Sequence, residues 1–386
     1  MVSERSSDPS SPASAPASRP PSDPISSRPP GSRPSRPSGR ADAPWSSAAD
    51  RVAVVVNGRA KQVTEPLVQL LDQIVQSGDL FVSRSLDEGR DIARIIVERG
   101  YPTVLTGGGD GTFVQMVSWI AKLADARGRP LPRFGLLKLG TGNAMAWVLG
   151  AQYKKGRGVV ADLARLRSEG GSRELRLIEV EGLLTPFGGL GADAITLEYH
   201  SQIRDLFQRT PVLKHASHAA LTYSVAIAGR TMPQFLMGKA PRFRIYNAGA
   251  SAYRVSHDNN PADAERYESG ALLYDGPATL LAFSTIPYWG LGARIFPFCE
   301  DREDRFNLRV ASFGSVVALT HLKSIWQGTY RGKRLQDFLV DAIRIECDRP
   351  TPLQIGGDVV GMRESVEARL SPRPIRVVDF YSPPPV

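Results

Sequence analysis

The apolar positions of this chain fall into two textures that meet near Arg173. The first begins with an unbroken run, Arg51-Val-Ala-Val-Val-Val, which ends at Asn57-Gly58 and predicts a strand buried on both faces. Leu67, Leu70, Leu71 and Ile74 then recur at helical spacing and predict a helix over 65–77. A short strand is expected over 80–83, followed by a helix over 87–99 that carries Ile92, Ile95 and Ile96. Strands over 103–105 and 134–137 flank a helix over 114–123. Strands alternating with helices imply a parallel sheet with right-handed crossovers. Ligands of such sheets bind beyond the carboxyl ends of the strands.

The second texture consists of short runs over 175–180, 243–246, 271–274, 279–284 and 308–313. They predict a mainly antiparallel β domain, with a helical insertion near 202–229. A last strand over 375–380 either returns to the first domain or closes the second. Ahead of both, residues 1–48 are rich in Ser, Pro, Ala and Arg and nearly free of bulky apolar side chains, so they cannot offset their ordering entropy. They hold neither the apolar core of a secretory signal nor an amphipathic transit pattern. The expected division is a disordered tail over 1–48, an α/β domain over 49–170 and a β-rich domain over 171–386.

Composition narrows the function classes only a little. No stretch is apolar for the 18 or so residues a membrane span requires, and the most apolar helical candidate, 219–228, is interrupted by Thr222, Tyr223 and Ser224. A soluble, cytoplasmic protein is expected. Cys299 and Cys347 form no CxxC pair, which argues against a disulfide framework or a cysteine zinc site. His215 and His218 have no third ligand nearby in sequence. The formal charge of +9 favours an anionic partner, membrane surface, nucleotide or nucleic acid, without choosing among them. No aromatic-basic motif supports nucleic acid, and the Arg331-Gly-Lys-Arg stretch with Lys323 reads first as a solvated face.

The chemistry concentrates in two turns. Gly107, Gly108, Gly109, Asp110, Gly111 and Thr112 follow the 103–105 strand and open a helix. Consecutive glycines let backbone approach a polyphosphate closely, and the helix offers unpaired N–H groups and a positive dipole end. Asp110 in such a turn would repel a polyanion unless it binds Mg²⁺ or accepts a proton from an attacking hydroxyl. The competing reading is an Asp that caps a helix beside a tight turn. No Lys-Ser or Lys-Thr follows, so this is not a Walker-type loop. About 30 residues on, Lys138-Leu-Gly-Thr-Gly-Asn repeats the arrangement with Gly140, Thr141, Gly142 and Asn143. Two such turns in consecutive strand–helix units converge on one crevice.

GGGDGT followed by LGTGNAMA resembles the catalytic domain shared by diacylglycerol kinases, sphingosine kinases and bacterial soluble lipid kinases. The resemblance implies a two-domain fold: an α/β nucleotide-binding domain with a parallel sheet, and a mainly antiparallel β domain that receives the lipid. It implies ATP and Mg²⁺ as cofactors and a lipid hydroxyl as phosphoryl acceptor at a membrane surface, with transient membrane association and no nucleic acid. Homo-oligomerisation stays open. By the same resemblance, Asn57 and Ser85 join the two turns in holding nucleotide, and Tyr288 to Pro297 matches a Tyr/Gly/Pro stretch of the β domain. Asp110 and Asp304 would bind metal, and Asp358 would be the general base, with Asp110 as its substitute. The chain departs from the pattern at Gly58, Lys138, Val114, Gln115 and Arg305, and at Gly356-Gly357-Asp358, where the family has Asp-Gly-Glu. Alternatives are an NAD kinase-like enzyme or a non-catalytic nucleotide- or lipid-binding relative.

Overall fold

The computed structural model describes residues 51–60, 62–75, 79–140, 143–151, 157–167, 171–191, 240–258, 264–290 and 292–381. The expected tail over 1–48, the expected insertion with His215 and His218, and Thr141 and Gly142 lie outside the described residues.

The first sheet has six strands in the order β2-β1-β3-β4-β18-β5. These are β1 (Val52–Asn57), β2 (Leu80–Ser83), β3 (Thr103–Gly108), β4 (Arg133–Lys138), β5 (Gly171–Leu175) and β18 (Ile375–Asp379). Pairing is parallel from β2 to β18, and β5 runs antiparallel at the edge. Burial of Val52 to Val56 on both faces follows from the helices that cross between parallel strands. Those are α1 (Glu65–Ile74), α2 (Leu86–Arg99), α3 (Asp110–Ala126), α4 (Ala144–Leu149) and α5 (Arg157–Arg167). The last strand therefore returns to the first sheet. The expected 175–180 strand is two strands, because the chain leaves the first sheet at Leu175 and enters the second at Ile178.

The second sheet is antiparallel and has twelve strands, with β11-β10-β15-β14-β13-β8-β16-β17-β6-β7 in line and β12-β9 attached to β16. They are β6 (Ile178–Val180), β7 (Leu183–Thr185), β8 (Phe187–Gly191), β9 (Arg242–Asn247), β10 (Ala252–Val255), β11 (Glu265–Tyr267), β12 (Leu272–Pro277), β13 (Leu280–Ser284), β14 (Phe306–Ala311), β15 (Leu335–Val340), β16 (Ala342–Ile355) and β17 (Asp358–Leu370). Two short helices, α6 (Ser315–Thr320) and α7 (Leu322–Trp326), lie between β14 and β15. Together these elements are the expected two-domain arrangement.

Each sheet has its own apolar core, and α3 serves both. Phe113, Met116, Val117 and Ile120 pack into the first core, whereas Val114 packs with Ile355, Leu353 and Phe283 in the second. Ser118 reinforces the junction, donating to its own helix at Val114 O (2.6 Å) and accepting from Leu184 N of β7 (2.8 Å). The helix that starts at the glycine loop is thus held from both sides.

Candidate functional site

The two glycine turns meet at the carboxyl ends of β3 and β4, where Gly108 is paired with Lys138. They touch so closely that a side chain on Gly140 would collide with Gly109 Cα (2.4 Å) and the Gly108 carbonyl oxygen (2.7 Å). One on Gly108 would run into Thr112, 2.5 Å from its Oγ1. Glycine at 108 and 140 is therefore a packing requirement of the crossing. Side chains tie the loops together. Asn57 Nδ2, at the end of β1, donates to Thr112 Oγ1 (3.2 Å), and the Gly140 carbonyl accepts from Asn143 Nδ2 (2.9 Å) and Gln62 Nε2 (3.2 Å). Asn143 holds a left-handed backbone (φ 43°), which Asn tolerates better than most residues, and starts α4. Its buried Oδ1 has no hydrogen-bond partner among the described residues.

Asp110 is the first residue of α3, yet its carboxylate serves another helix. Oδ2 accepts from Ala144 N (2.7 Å) and Oδ1 from Met145 N (2.9 Å), so Asp110 caps α4 across the crevice. The expected cap on the helix that follows Asp110 is not formed, since Gly109 stands at the start of α3; Asp110 instead caps the helix after the second turn. Burial pushes its pKa up to about 6; the two N–H donors and Lys138 oppose that rise and the charge of Asp358 adds to it.

Asp358 arrives from the other domain. The β16–β17 hairpin turns at Gly356 (φ 59°) and Gly357 (φ 87°), whose left-handed backbones only glycine takes without strain. Gln354 Oε1 pins the turn by accepting from Gly357 N (2.8 Å), and Gly356 N donates to Phe187 O (3.0 Å). Gly356 lies against Val114. This contact sets the Asp358 carboxylate directly on Gly111, where a Cβ would lie only 2.7 Å from Asp358 Cγ. Surrounding atoms desolvate the carboxyl and raise its pKa, while the residue stays open to solvent. Crowded but exposed describes a group in a cleft.

Two predicted site residues stand apart. Ser85 sits near this edge of the sheet, one strand beyond Asn57, but its Oγ caps α2 by accepting from Glu88 N (3.1 Å). Asp304 does not join the carboxylates. It pairs with Arg305 (2.8 Å) and Arg302 (3.2 Å), and the Arg at 305, where the family has Gly, is what occupies it. From Ile355 the lateral path to its neighbourhood passes through Gly188 of β8, Phe283 of β13 and Leu308 of β14. Three strand spacings of about 4.8 Å make that roughly 14 Å.

Sequence reasoning missed one participant. In the sequence Lys138 marks only a departure from the family pattern. Its Nζ lies 4.7 Å from the centre of the Trp147 ring, and burial lowers its pKa to about 8 against the pull of Asp110. Trp147 in turn packs near Tyr288 (6.1 Å between rings) and against Gly292, so the Tyr/Gly/Pro stretch forms the far wall. A lysine at a strand end beside a glycine turn was the available signal.

The metal test is one of donor chemistry. Among the described residues no three His, Cys, Asp or Glu side chains gather into a ready-made metal cage. The charge of Asp358 reaches Asp110 across the glycine loop and disfavours its ionised form. One or two carboxylates completed by water and substrate phosphate is the usual setting for Mg²⁺, and these residues fit it.

Against known proteins, residues 51–179 match the model of the diacylglycerol kinase catalytic domain. That match covers about a third of the chain. Over 100 residues the chain is 32% identical to a lipid kinase YegS-like protein of Chromohalobacter salexigens, which covers 25% of this chain and 31% of the relative. The chain thus spans about a third of the curated relative it matches. A solved diacylglycerol kinase-like protein from Bacillus anthracis aligns over 86% of this chain and 97% of its own, with TM-score 0.55 and 14% identity. A crystal structure of a diacylglycerol kinase from the same organism gives TM-score 0.52 at 13% identity over 85% and 96%. These two likenesses extend the fold of the diacylglycerol kinase catalytic domain across both sheets. An NAD kinase from Archaeoglobus fulgidus in complex with ATP reaches only TM-score 0.40 and carries no weight.

Proposed function

We propose that this protein transfers the γ-phosphoryl group of ATP to the hydroxyl of a lipid. One observation carries the reading: the Asp358 carboxylate, supplied by the β domain, rests on Gly111 of the glycine loop. A general base must come within about 3 Å of its proton. Asp358 stands at a phosphate-binding loop and is reachable from solvent, and its raised pKa makes it a stronger base than an ordinary carboxylate. Asp110 is a poorer base, being buried with both oxygens committed to α4. The closeness of the Asp358 carboxylate to Gly111 supports the shorter acid as the base.

In this reading the triphosphate lies over Gly108 to Thr112, and Asn57 and Asn143 steady the two turns beneath it. The lipid oxygen forms a bond to the γ-phosphorus in line with the bond to the β–γ bridging oxygen, which breaks and leaves its electron pair on ADP. Asp358 takes the hydroxyl proton. Mg²⁺ bound through the phosphates, with Asp110 as its carboxylate, would neutralise charge on the transferred group and leave Asp358 free to act as the base. Lys138 contributes a further positive charge near Asp110. Catalysis of this kind is positioning and electrostatics.

The test is transfer of label from [γ-³²P]ATP into a lipid panel in mixed micelles with Mg²⁺, with Asp110→Ala and Asp358→Ala alongside. Labelled lipid that vanishes with Asp358→Ala is expected. ATP binding with no labelled product in any lipid, or full activity without Asp358, would overturn the reading.

A further inference from the structure

The surface between β14 and β15 combines cations with outward-facing apolar side chains. From Arg305 to Gln336 there is no acidic residue, while Arg305, Arg309, Lys323, Arg331, Lys333 and Arg334 all fall within it. Arg305 and Arg309 are buried in ion pairs. The other four are exposed. Among them α7 turns two large apolar side chains outward, Leu322 (52% exposed) and Trp326 (40% exposed), and none of its residues is buried. With Thr320, Lys323 and Gln327 they line an open groove of about 490 Å³.

This face is also joined to the wall of the crevice. Arg294 N donates to Trp326 O (2.8 Å), and two residues earlier Gly292 packs on Trp147, the ring beneath Lys138. A surface that met α7 would therefore stand beside the mouth of the proposed site.

We propose that α7 and the 331–334 segment form the docking face of this protein for an anionic lipid bilayer. Leu322 and Trp326 enter the interface, where an indole finds both apolar and polar surroundings, and Lys323, Arg331, Lys333 and Arg334 meet the headgroups. An apolar anchor combined with a basic patch is the two-signal arrangement that stable but reversible membrane attachment requires. Charge favours a bilayer over a second copy of this face, since a self-complementary contact would bring its cations together with only Asp258, already paired with Arg331 (2.8 Å), to receive them. The inference extends the lipid kinase reading, but its central measurement needs no ATP.

The probe is co-sedimentation of the full chain with phosphatidylcholine vesicles, with and without 30% phosphatidylglycerol. Binding to the anionic vesicles is expected, weakening steeply with salt. It should fall at least tenfold with Leu322→Glu/Trp326→Glu, and likewise with Lys323→Glu/Lys333→Glu/Arg334→Glu. Brominated lipid should quench tryptophan fluorescence in the wild type and lose that quenching in Trp326→Phe, which keeps the apolar bulk. Both charge and apolar variants should melt like the wild type, because every altered side chain is exposed. Phosphoryl transfer to a short-chain lipid dissolved as monomers should be unchanged in them. Vesicle binding that survives these changes, quenching that persists without Trp326, or a dimer in light scattering that they dissociate would overturn the docking face. Vesicle binding without any phosphoryl transfer would instead defeat the kinase reading alone.

Discussion

Gly111→Ala separates chemistry from stability at the point where the domains touch. Gly111 is the second residue of α3 with no special φ, so alanine should favour the helix by up to ~1 kcal/mol. The new Cβ, however, would fall on the Asp358 carboxylate, 2.7 Å from Cγ and 3.1 Å from Oδ1. Asp358 is solvent-exposed and can swing aside at the cost of about one unfavourable rotamer, roughly 0.5–1.5 kcal/mol. The two effects nearly cancel, and the urea midpoint should move little. Activity should not be spared. A base displaced by about 1 Å or more loses on the order of 10²-fold in rate, equivalent to ~2.7 kcal/mol of barrier. The assay is kcat for phosphoryl transfer in four proteins: wild type, Gly111→Ala, Asp358→Ala and the double variant. If Gly111 matters through Asp358, the double variant should be no slower than Asp358→Ala. A further tenfold loss in the double variant would refute the argument, since alanine would then be obstructing the phosphates. So would a Gly111→Ala enzyme of normal kcat.

Other consequences follow from buried groups. Because burial raises Asp110 to about 6, the native state holds that proton more tightly than the unfolded chain, and this contribution to stability falls as pH rises from ~4 through 6. Relative to Asp110→Asn, wild-type protein in chelator should lose on the order of 2 kcal/mol between pH 4.5 and 7.5 by urea unfolding; parallel profiles would contradict it. The buried pair of Arg309 and Asp337, bonded at 2.8 and 2.9 Å with Asn307 adding a third contact, should make Asp337→Ala cost about 3–5 kcal/mol. A loss below 1 kcal/mol would show the pair to be solvated. Burial raises both thiols, Cys347 to about 11 and buried Cys299 above the usual range. With Ellman's reagent at pH 8, Cys347 should react about two orders of magnitude more slowly than an ordinary thiol, and Cys299 only on unfolding; a rapid burst of two thiols would refute this.

What could be read from the chain was what its local chemistry determines. The β1 run and the two glycine turns were legible because a continuous apolar run marks a strand buried on both faces and clustered glycines mark close backbone approach. The helix expected from Val114 begins at Asp110, since the loop leads straight into its first turn. The strand expected over 175–180 broke in two because period-2 patterning does not say which sheet a residue joins. The long β16–β17 hairpin went unseen: its strands carry many charges and prolines, among them Arg344, Asp348, Pro350 and Pro352, and their pairing is tertiary. The site shows the same division. That Asp358 lies near the phosphates was implied by resemblance, but its seat on Gly111 depends on Val114 against Gly356, a contact between distant residues. The capping duty of Asp110 spans 34 residues, and neither the occupation of Asp304 by two arginines nor the capping role of Ser85 follows from a motif.

The strand at 375–379 has a consequence for how the molecule is made. It lies between β4 and β5, so the sheet that bears both glycine turns is interrupted until nearly the whole of the folded chain exists. A nascent chain emerging from the ribosome through residue 370 would hold every residue assigned to the crevice and still lack the strand that joins that sheet's edge to its centre. Synthesis at roughly 5–20 residues per second would leave the apolar flanks of Phe134 and Leu175 uncovered for roughly 10–40 s, an interval in which the open sheet edges invite pairing with other chains.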